Sequence, residues 1–515
     1  VADPLPRWAV AAAAVLPAAL AVLTARGTRP VVGPDAVSYV AVADSIRAGE
    51  GLGFWLERPL TTWPPLWPAT LAAGGTLTGW RGDLVALAVN AVLLVGVVLV
   101  GAALARRVLE RRWVRVAQLA GLAVSPALVG LAVIVQTEVA FVLGAAAALL
   151  LVLVGIERDQ RWWFAAAGIV LAVSFYVRYQ AFYAVPVLAG WLGLRTWLTH
   201  RSLRRAAADL SWLVVPAVAP SVVWMVRNLR VSDTVMGPRF PSDIGPVANT
   251  AGAFRTLAKF LFSIPTGPAV PLTLLGVAAA AAMAAGVVAA ARADDPRRSW
   301  SAAFSEAVRG PVGLLVTFVV GFNVLMVVSR SVVGFDDLDI RLLAPCLVPT
   351  ALVFLRWVEV VLLGRRGWDA LGRAAVAVWL AAQVAVTALL VGPANASLTD
   401  AGYNAPRAVA AAHSPAIDQL PEGCVLYSNN AGDLYRSGLR ARVSPRKVEY
   451  KSDQPTDDLD ELVRAVAGGQ RTCLAWVEYT DDDEVYSRKE LSRVLDLRKV
   501  ASADGVTVYV VGPAS

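Results

Sequence analysis

Ionisable residues at the ends of apolar runs are the candidates for chemistry, because charge beside hydrocarbon is costly and is kept for function. Glu138 stands in Gln136-Thr137-Glu138, and Arg178-Tyr179 and Arg227-Asn228 end later runs. Arg330 and Arg341 flank the segment Gly334-Phe335-Asp336-Asp337-Leu338-Asp339-Ile340-Arg341. Arginine brings a fixed charge and a planar fork suited to bidentate phosphate contacts. Asp35, in Pro34-Asp35-Ala36-Val37-Ser38-Tyr39, adds a carboxylate at the start of a short amphipathic segment. Each has a plainer reading as well. Asp35 fits a helix cap that accepts backbone N–H bonds, and Arg341 fits an ion pair with Asp337 or Asp339.

These residues need membrane helices to position them. A helix needs roughly 20 apolar residues to cross about 30 Å of hydrocarbon. Such runs occur near 8–25, 84–104, 117–136, 138–155, 162–177, 181–198, 210–226, 270–291, 311–329, 342–363 and 374–392. That predicts eleven spans, the first of them read as uncleaved because no cleavage site stands out near Thr24–Gly27. Thr62–Gly79 is interrupted by Pro64, Pro65 and Pro68 and reads as partly re-entrant. Val37, Val40, Ala41, Asp44 and Arg47 recur at helical spacing before Gly49, so 34–49 reads as a helix lying in the interface.

Placement of charge then supplies the orientation. The chain has 515 residues, 57% apolar and 17% charged, with a net charge of +8 and a mean hydropathy of +0.58. Soluble domains carry about a quarter charged residues, so this balance disfavours a purely soluble protein. The balance is +12 up to residue 399 and −4 beyond it. Most of the excess is Arg in every second short loop, which marks those loops and the N-terminus as cytoplasmic. The basic charge therefore records insertion and calls for no nucleic-acid partner. An odd number of spans places the tail outside. Glu138, Arg178, Tyr179, Arg227, Arg330 and Arg341 then face one outer side, where the three elaborate loops also lie. With no internal repeat, that asymmetry favours an enzyme over a transporter with a midplane site. Trp63, in Trp63-Pro64-Pro65-Leu66-Trp67-Pro68, suits either an interfacial anchor or a platform for a sugar ring.

The layout resembles the GT-C superfamily of membrane glycosyltransferases, in the branch of protein O-mannosyltransferases and lipid A aminoarabinose transferases. The resemblance rests on pieces in the family's order. They are Pro34-Asp35-Ala36-Val37-Ser38-Tyr39, Trp63-Pro64-Pro65-Leu66, Thr137-Glu138, Arg178-Tyr179, Trp224-Met225-Val226-Arg227-Asn228 and Arg341-Leu342-Leu343-Ala344-Pro345. It implies an inverting transfer of a sugar from a polyprenyl-phosphate carrier to an extracytoplasmic cell-envelope acceptor, which is a glycan, lipid or protein. By the same resemblance Asp35 is the general base. Arg178 and Arg341, with Arg227 and Arg330, hold the donor phosphate. Tyr39, Trp63, Tyr179 and Glu138 are auxiliary, on the acceptor side. The mannosyltransferases have an acidic pair where Asp35 is followed by Ala36, so Glu138 stands in for the second acid. It would serve as metal ligand or by orienting a hydroxyl, and a divalent cation is left open.

The expected fold is a polytopic α-helical membrane module over 1–392, GT-C-like with interfacial helices in the first outer loop. A soluble extracytoplasmic α/β domain follows over 393–515. In it, 424–428, 472–477 and 506–511 read as strands, and Asp458–Ala467 and Glu484–Leu495 as helices. Cys424 and Cys473 fit either a disulfide or two plain buried residues. Asp481-Asp482-Asp483-Glu484 reads as a solvated turn. The Ala- and Arg-rich, Lys-poor usage points to a high-GC bacterium and so to its plasma (inner) membrane. Three rival functions remain at this level: a flippase of lipid-linked saccharides, a polysaccharide ligase or polymerase using diphosphate-linked donors, and a scaffold presenting the tail.

Overall fold

All eleven apolar runs are helical in the computed structural model. It describes residues 5–514 apart from 29, 55–57, 265–266, 294–298, 365–366, 393–404, 437, 451–453 and 481. In chain order the helices begin α1 (Arg7–Thr28), α2 (Pro34–Arg47), α3 (Leu66–Thr78), α4 (Gly82–Val108), α5 (Arg112–Ala123) and α6 (Pro126–Val133). There follow α7 (Glu138–Arg158), α8 (Trp162–Val177), α9 (Ala181–His200), α10 (Leu203–Ser232) and α11 (Pro246–Phe262). The last large ones are α12 (Ala269–Ala293), α13 (Trp300–Arg309), α14 (Pro311–Val332), α15 (Leu347–Trp357) and α16 (Asp369–Val391).

Among the described residues nine stretches are long and apolar enough to cross a bilayer. This is a multi-pass membrane protein. The count differs from eleven because α8 has 16 residues and the continuous α9 carries Arg195 and ends in polar residues. Two spans expected as single helices are broken. Ser125 accepts the Leu128 N–H and Pro126 starts a new helix, so 117–136 splits into α5 and α6. Pro345 turns the start of the 342–363 run into a short 3₁₀ stretch, and Val358–Leu362 continues α15 with π-type hydrogen bonds. The proline-broken segment at 62–79 yields α3, of 13 residues, which is too short to cross.

By packing, the chain divides into two compact units. One is Val1–Gly27 with Ala86–Met236 and Pro241–Asn395. The other joins Thr28–Val85, Gly237–Phe240 and Ala396–Ser515. Composition drew a boundary near 392, whereas packing assigns the first outer segment to the same unit as the tail.

In the first unit, α7 packs on α8, α8 on α10, α10 on α9 and α9 on α14. Glycine permits the closest approaches. A Cβ at Gly144 would come 2.0 Å from Ser174 Oγ, and one at Gly168 would come 2.3 Å from the Leu213 carbonyl oxygen. The α7–α8 contact lies about one turn and a half from Glu138 on one helix and one turn from Arg178 on the other.

In the second unit a two-stranded hairpin, β1 (Gly53–Phe54) and β2 (Arg58–Pro59), accompanies α2 and α3. Its sheet contains β3 (Val425–Ser428), β4 (Arg442–Val443), β5 (Thr472–Val477), β6 (Leu495–Ala503) and β7 (Val506–Pro513), in the order β4-β3-β5-β7-β6. β3 runs parallel to β4 and β5, and β7 is antiparallel to β5 and β6. Side chains alternate across this sheet. Leu426, Ala475, Val477 and Val508 face one core with Ala411 and Leu434, from α17 (Pro406–Ala412) and α18 (Ala431–Arg436). Tyr427, Leu474, Tyr509 and Val511 face another with Leu462 and Leu491, from α19 (Asp458–Ala467) and α20 (Arg488–Leu491).

The α/β domain differs from expectation at one place. Glu484–Leu495 was expected to be a helix, but a Ser487–Glu490 capping box starts only the four-residue α20. From Leu495 the chain extends as β6, because Leu495 and Leu497 pair with Pro513 and Val511 on β7. Cys424 and Cys473 are joined as a disulfide, with Cα atoms 5.8 Å apart. Asp482 accepts the Glu484 N–H, and Glu484 pairs with Arg446 at 2.7 Å, so the described part of the acidic run is a capped turn.

Candidate active site

Three distant segments of the first unit converge on one buried carboxylate. Glu138 opens α7, where the unpaired N–H groups favour negative charge. Its side chain is 1% exposed. Arg178 is the C-cap of α8, an end that favours positive charge. Its Nη1 donates to Glu138 Oε1 at 3.0 Å and to Thr137 Oγ1 at 2.9 Å. Arg341 approaches from 203 positions away and donates through Nε to the same Oε1 at 3.1 Å. Glu138 Oε2 and Arg178 Nε are buried without hydrogen-bond partners among the described residues.

Arg341 is held by its own turn. Asp339 accepts the backbone N–H groups of Arg341 and Leu342 at 2.9 and 3.2 Å. Burial pushes the Asp339 carboxyl above its ordinary range, with those N–H groups and Arg341 opposing the rise. Two carboxylates are described against the Arg341 guanidinium. It binds Glu138 and, through Nη1, the half-exposed Asp336 at 3.4 Å. Asp337 turns to Arg330, at 3.8 Å. The two adjacent acids thus go to two different arginines.

Arg330, in the last turn of α14, is almost fully buried and donates to Ser242 Oγ at 2.7 Å. Asp243 lies 3.6 Å away, and the guanidinium covers the Phe335 ring. Tyr179 and Arg227 belong to a neighbouring polar knot. The Tyr179 hydroxyl accepts from Trp224 Nε1 at 2.8 Å and from Asn228 Nδ2 at 3.0 Å. Arg227 lies 4.7 Å over the Trp224 ring and donates to Asn228 Oδ1. Tyr179 thereby ties the α8–α9 link to α10.

The second unit holds the other candidates. Asp35 is half-buried in the first turn of α2. Gly33 occupies the N-cap, and that cap makes no side-chain hydrogen bond, so Asp35 is not the cap residue. Tyr39 is buried and meets Trp63 edge-on, with ring centroids 5.9 Å apart. Tyr450, on the tail, lies 6.1 Å from Trp63. Trp63 is therefore packed between aromatic rings of its own unit and is 8% exposed.

Thr137, Ser242 and Asp336 were not singled out from sequence, since only the fold shows which arginine each one serves. No group of three or more His, Cys, Asp or Glu among the described residues is placed to hold a metal ion. With Glu138 Oε1 taken by two guanidinium groups, the cluster does not suit a divalent cation. What it suits is an anion: the buried Arg178 and the partly buried Arg341 bring together guanidinium N–H groups, which only donate.

Comparison with known proteins bears on this arrangement. Residues 62–224 match the family model described as dolichyl-phosphate-mannose-protein mannosyltransferase. No curated protein matches the chain. The structure is similar to ArnT from Cupriavidus metallidurans bound to undecaprenyl phosphate, with a TM-score of 0.61 at 15% identity. That similarity covers 98% of this chain and 97% of the other. The chain has the GT-C fold. A second GT-C structure, the archaeal oligosaccharyltransferase AglB from Archaeoglobus fulgidus with an inhibitory peptide and a dolichol-phosphate, has a TM-score of 0.55 at 11% identity. It covers 98% of this chain and 74% of that one. The likeness to both structures takes in the tail as well as the membrane helices, given that coverage.

Proposed function

We propose that this chain is an inverting glycosyltransferase that takes a sugar from a polyprenyl-phosphate-linked donor. The observation that carries this reading is the pair Arg178 and Arg341 on one buried carboxylate, Glu138. The acceptor is an extracytoplasmic cell-envelope glycan, lipid or protein, and the outer side is the one opposite the Arg-rich loops. Support comes from the lipid phosphates in the ArnT and AglB structures, which share the fold.

The chemistry assigns one task to each group. Asp35 takes the proton of the acceptor hydroxyl as its oxygen attacks the anomeric carbon. The bond from that carbon to the phosphate oxygen breaks, and a new glycosidic bond forms on the opposite face of the sugar. The departing polyprenyl phosphate gains negative charge, which Arg178 and Arg341 stabilise because their guanidinium groups are already in place. Glu138 orients both arginines. Arg330 and Arg227 stand in supporting positions through Ser242 and Trp224.

Arg341→Ala tests the phosphate assignment. Binding of radiolabelled undecaprenyl phosphate to the purified variant should weaken about tenfold to a hundredfold, the loss expected for one charge-assisted contact. A variant that binds as tightly as the parent removes Arg341 from the phosphate site.

A further inference from the structure

The proposed transfer gives Asp35 a role but leaves the C-terminal domain without one. The second unit suggests what that domain does. Helix α2 has 14 residues, begins at an N-cap without a side-chain hydrogen bond, and carries Asp35 in its first turn. A helix this short is marginal by itself and depends on packing. Its main packing partner is α3, and the tail adds a second contact, through α18, with polar fastenings at its far end.

At the far end of α2, Tyr435 donates to Asp44 Oδ2 at 3.1 Å, and Tyr435 itself is buried. Just beyond the helix, Glu50 receives both Nη groups of Arg440 and also the Ser45 hydroxyl. Arg440 holds the Glu50 carboxyl below its usual range. The hairpin after α2 is fastened too, by Arg58 to Glu449 at 2.8 Å and to Asp458. Tyr435 lies on α18, which leaves the carboxyl end of β3. There the sheet order reverses, with β4 on one side and β5 on the other. Open α/β sheets take ligands at that point; in this chain α18 packs on α2 there.

We propose that the C-terminal α/β domain is the mount of the Asp35 helix, with Tyr435 and Arg440 as positioning residues for the transfer. The lever is simple. Nine residues of helix separate Asp35 from Asp44, about 13 Å at 1.5 Å per residue. A tilt of about 5° at the mounted end moves the carboxylate about 1 Å, enough to cost about a hundredfold in rate. The functional half rests on Asp35 being the base; the mechanical half does not.

The test uses the full chain in lipid nanodiscs, with Tyr435→Phe, Arg440→Glu and the charge swap Arg440→Glu/Glu50→Arg. Amide exchange across 37–47 should quicken about tenfold in each single variant, the effect of losing one hydrogen bond to a charged group. Turnover should fall about tenfold or more while the KM for a polyprenyl-phosphate sugar donor stays within about twofold. The swap should restore both exchange protection and turnover. Unchanged exchange in both single variants overturns the mount, as does faster exchange at full turnover while Asp35→Asn is inactive. If Asp35→Asn stays active, the base assignment fails instead, and exchange alone decides the mount.

Discussion

Asp35→Asn should lower transfer by about a hundredfold to ten-thousandfold, the range that general-base catalysis supplies. The substitution keeps the size of the side chain and its place in the first turn of α2, where Gly33 rather than Asp35 is the N-cap. What it removes is the ability to accept the acceptor's proton. Donor binding should therefore match the parent while turnover collapses. Turnover within about threefold of the parent would take Asp35 out of the reaction. A parallel fall in donor binding would point to a contact with a hydroxyl of the donor sugar instead.

Glu138→Ala should have the largest effect on stability. Its carboxylate is fully buried and receives both Arg178 and Arg341 on one oxygen. Removing it leaves Arg178 buried, with Arg341 beside it, facing a neighbour of like charge. Breaking a buried pair in this way costs about 3–5 kcal/mol. The melting temperature in detergent should fall clearly, and donor binding should fall with it because the arginines lose their common anchor. Glu138→Gln retains an acceptor oxygen and should sit between parent and Ala. Were Glu138→Ala to melt with the parent, the carboxylate would not be the anchor described.

Much of the architecture was legible because apolar runs of spanning length leave few alternatives. The departures lie where local chemistry outweighs hydropathy. Ser125-Pro126 starts a new helix inside a run that looks continuous, and Pro345 does the same to another. β6 was hidden because Glu484–Leu495 carries a good capping box, whose single turn gives way to pairing with β7. In the site, Glu138, Arg178 and Arg341 stood out individually as charges beside hydrocarbon. That two of them share one oxygen of the third was not readable, since 203 positions separate Glu138 from Arg341. Tyr435 and Arg440 gave no signal at all. Each is an ordinary polar residue until α2 is packed against the tail.

The central claim is that this chain breaks a sugar–phosphate bond on a singly phosphorylated polyprenyl carrier. The most direct measurement incubates the purified protein in nanodiscs with polyprenyl-phosphate sugars and envelope acceptors, and follows the lipid and glycan products by mass spectrometry. The account predicts free polyprenyl phosphate together with an equal amount of new glycosidic bond, both lost in Asp35→Asn. Consumption of diphosphate-linked donors alone would contradict it in favour of a ligase or polymerase. Movement of intact donor across sealed vesicles with no new bond would contradict it in favour of a flippase.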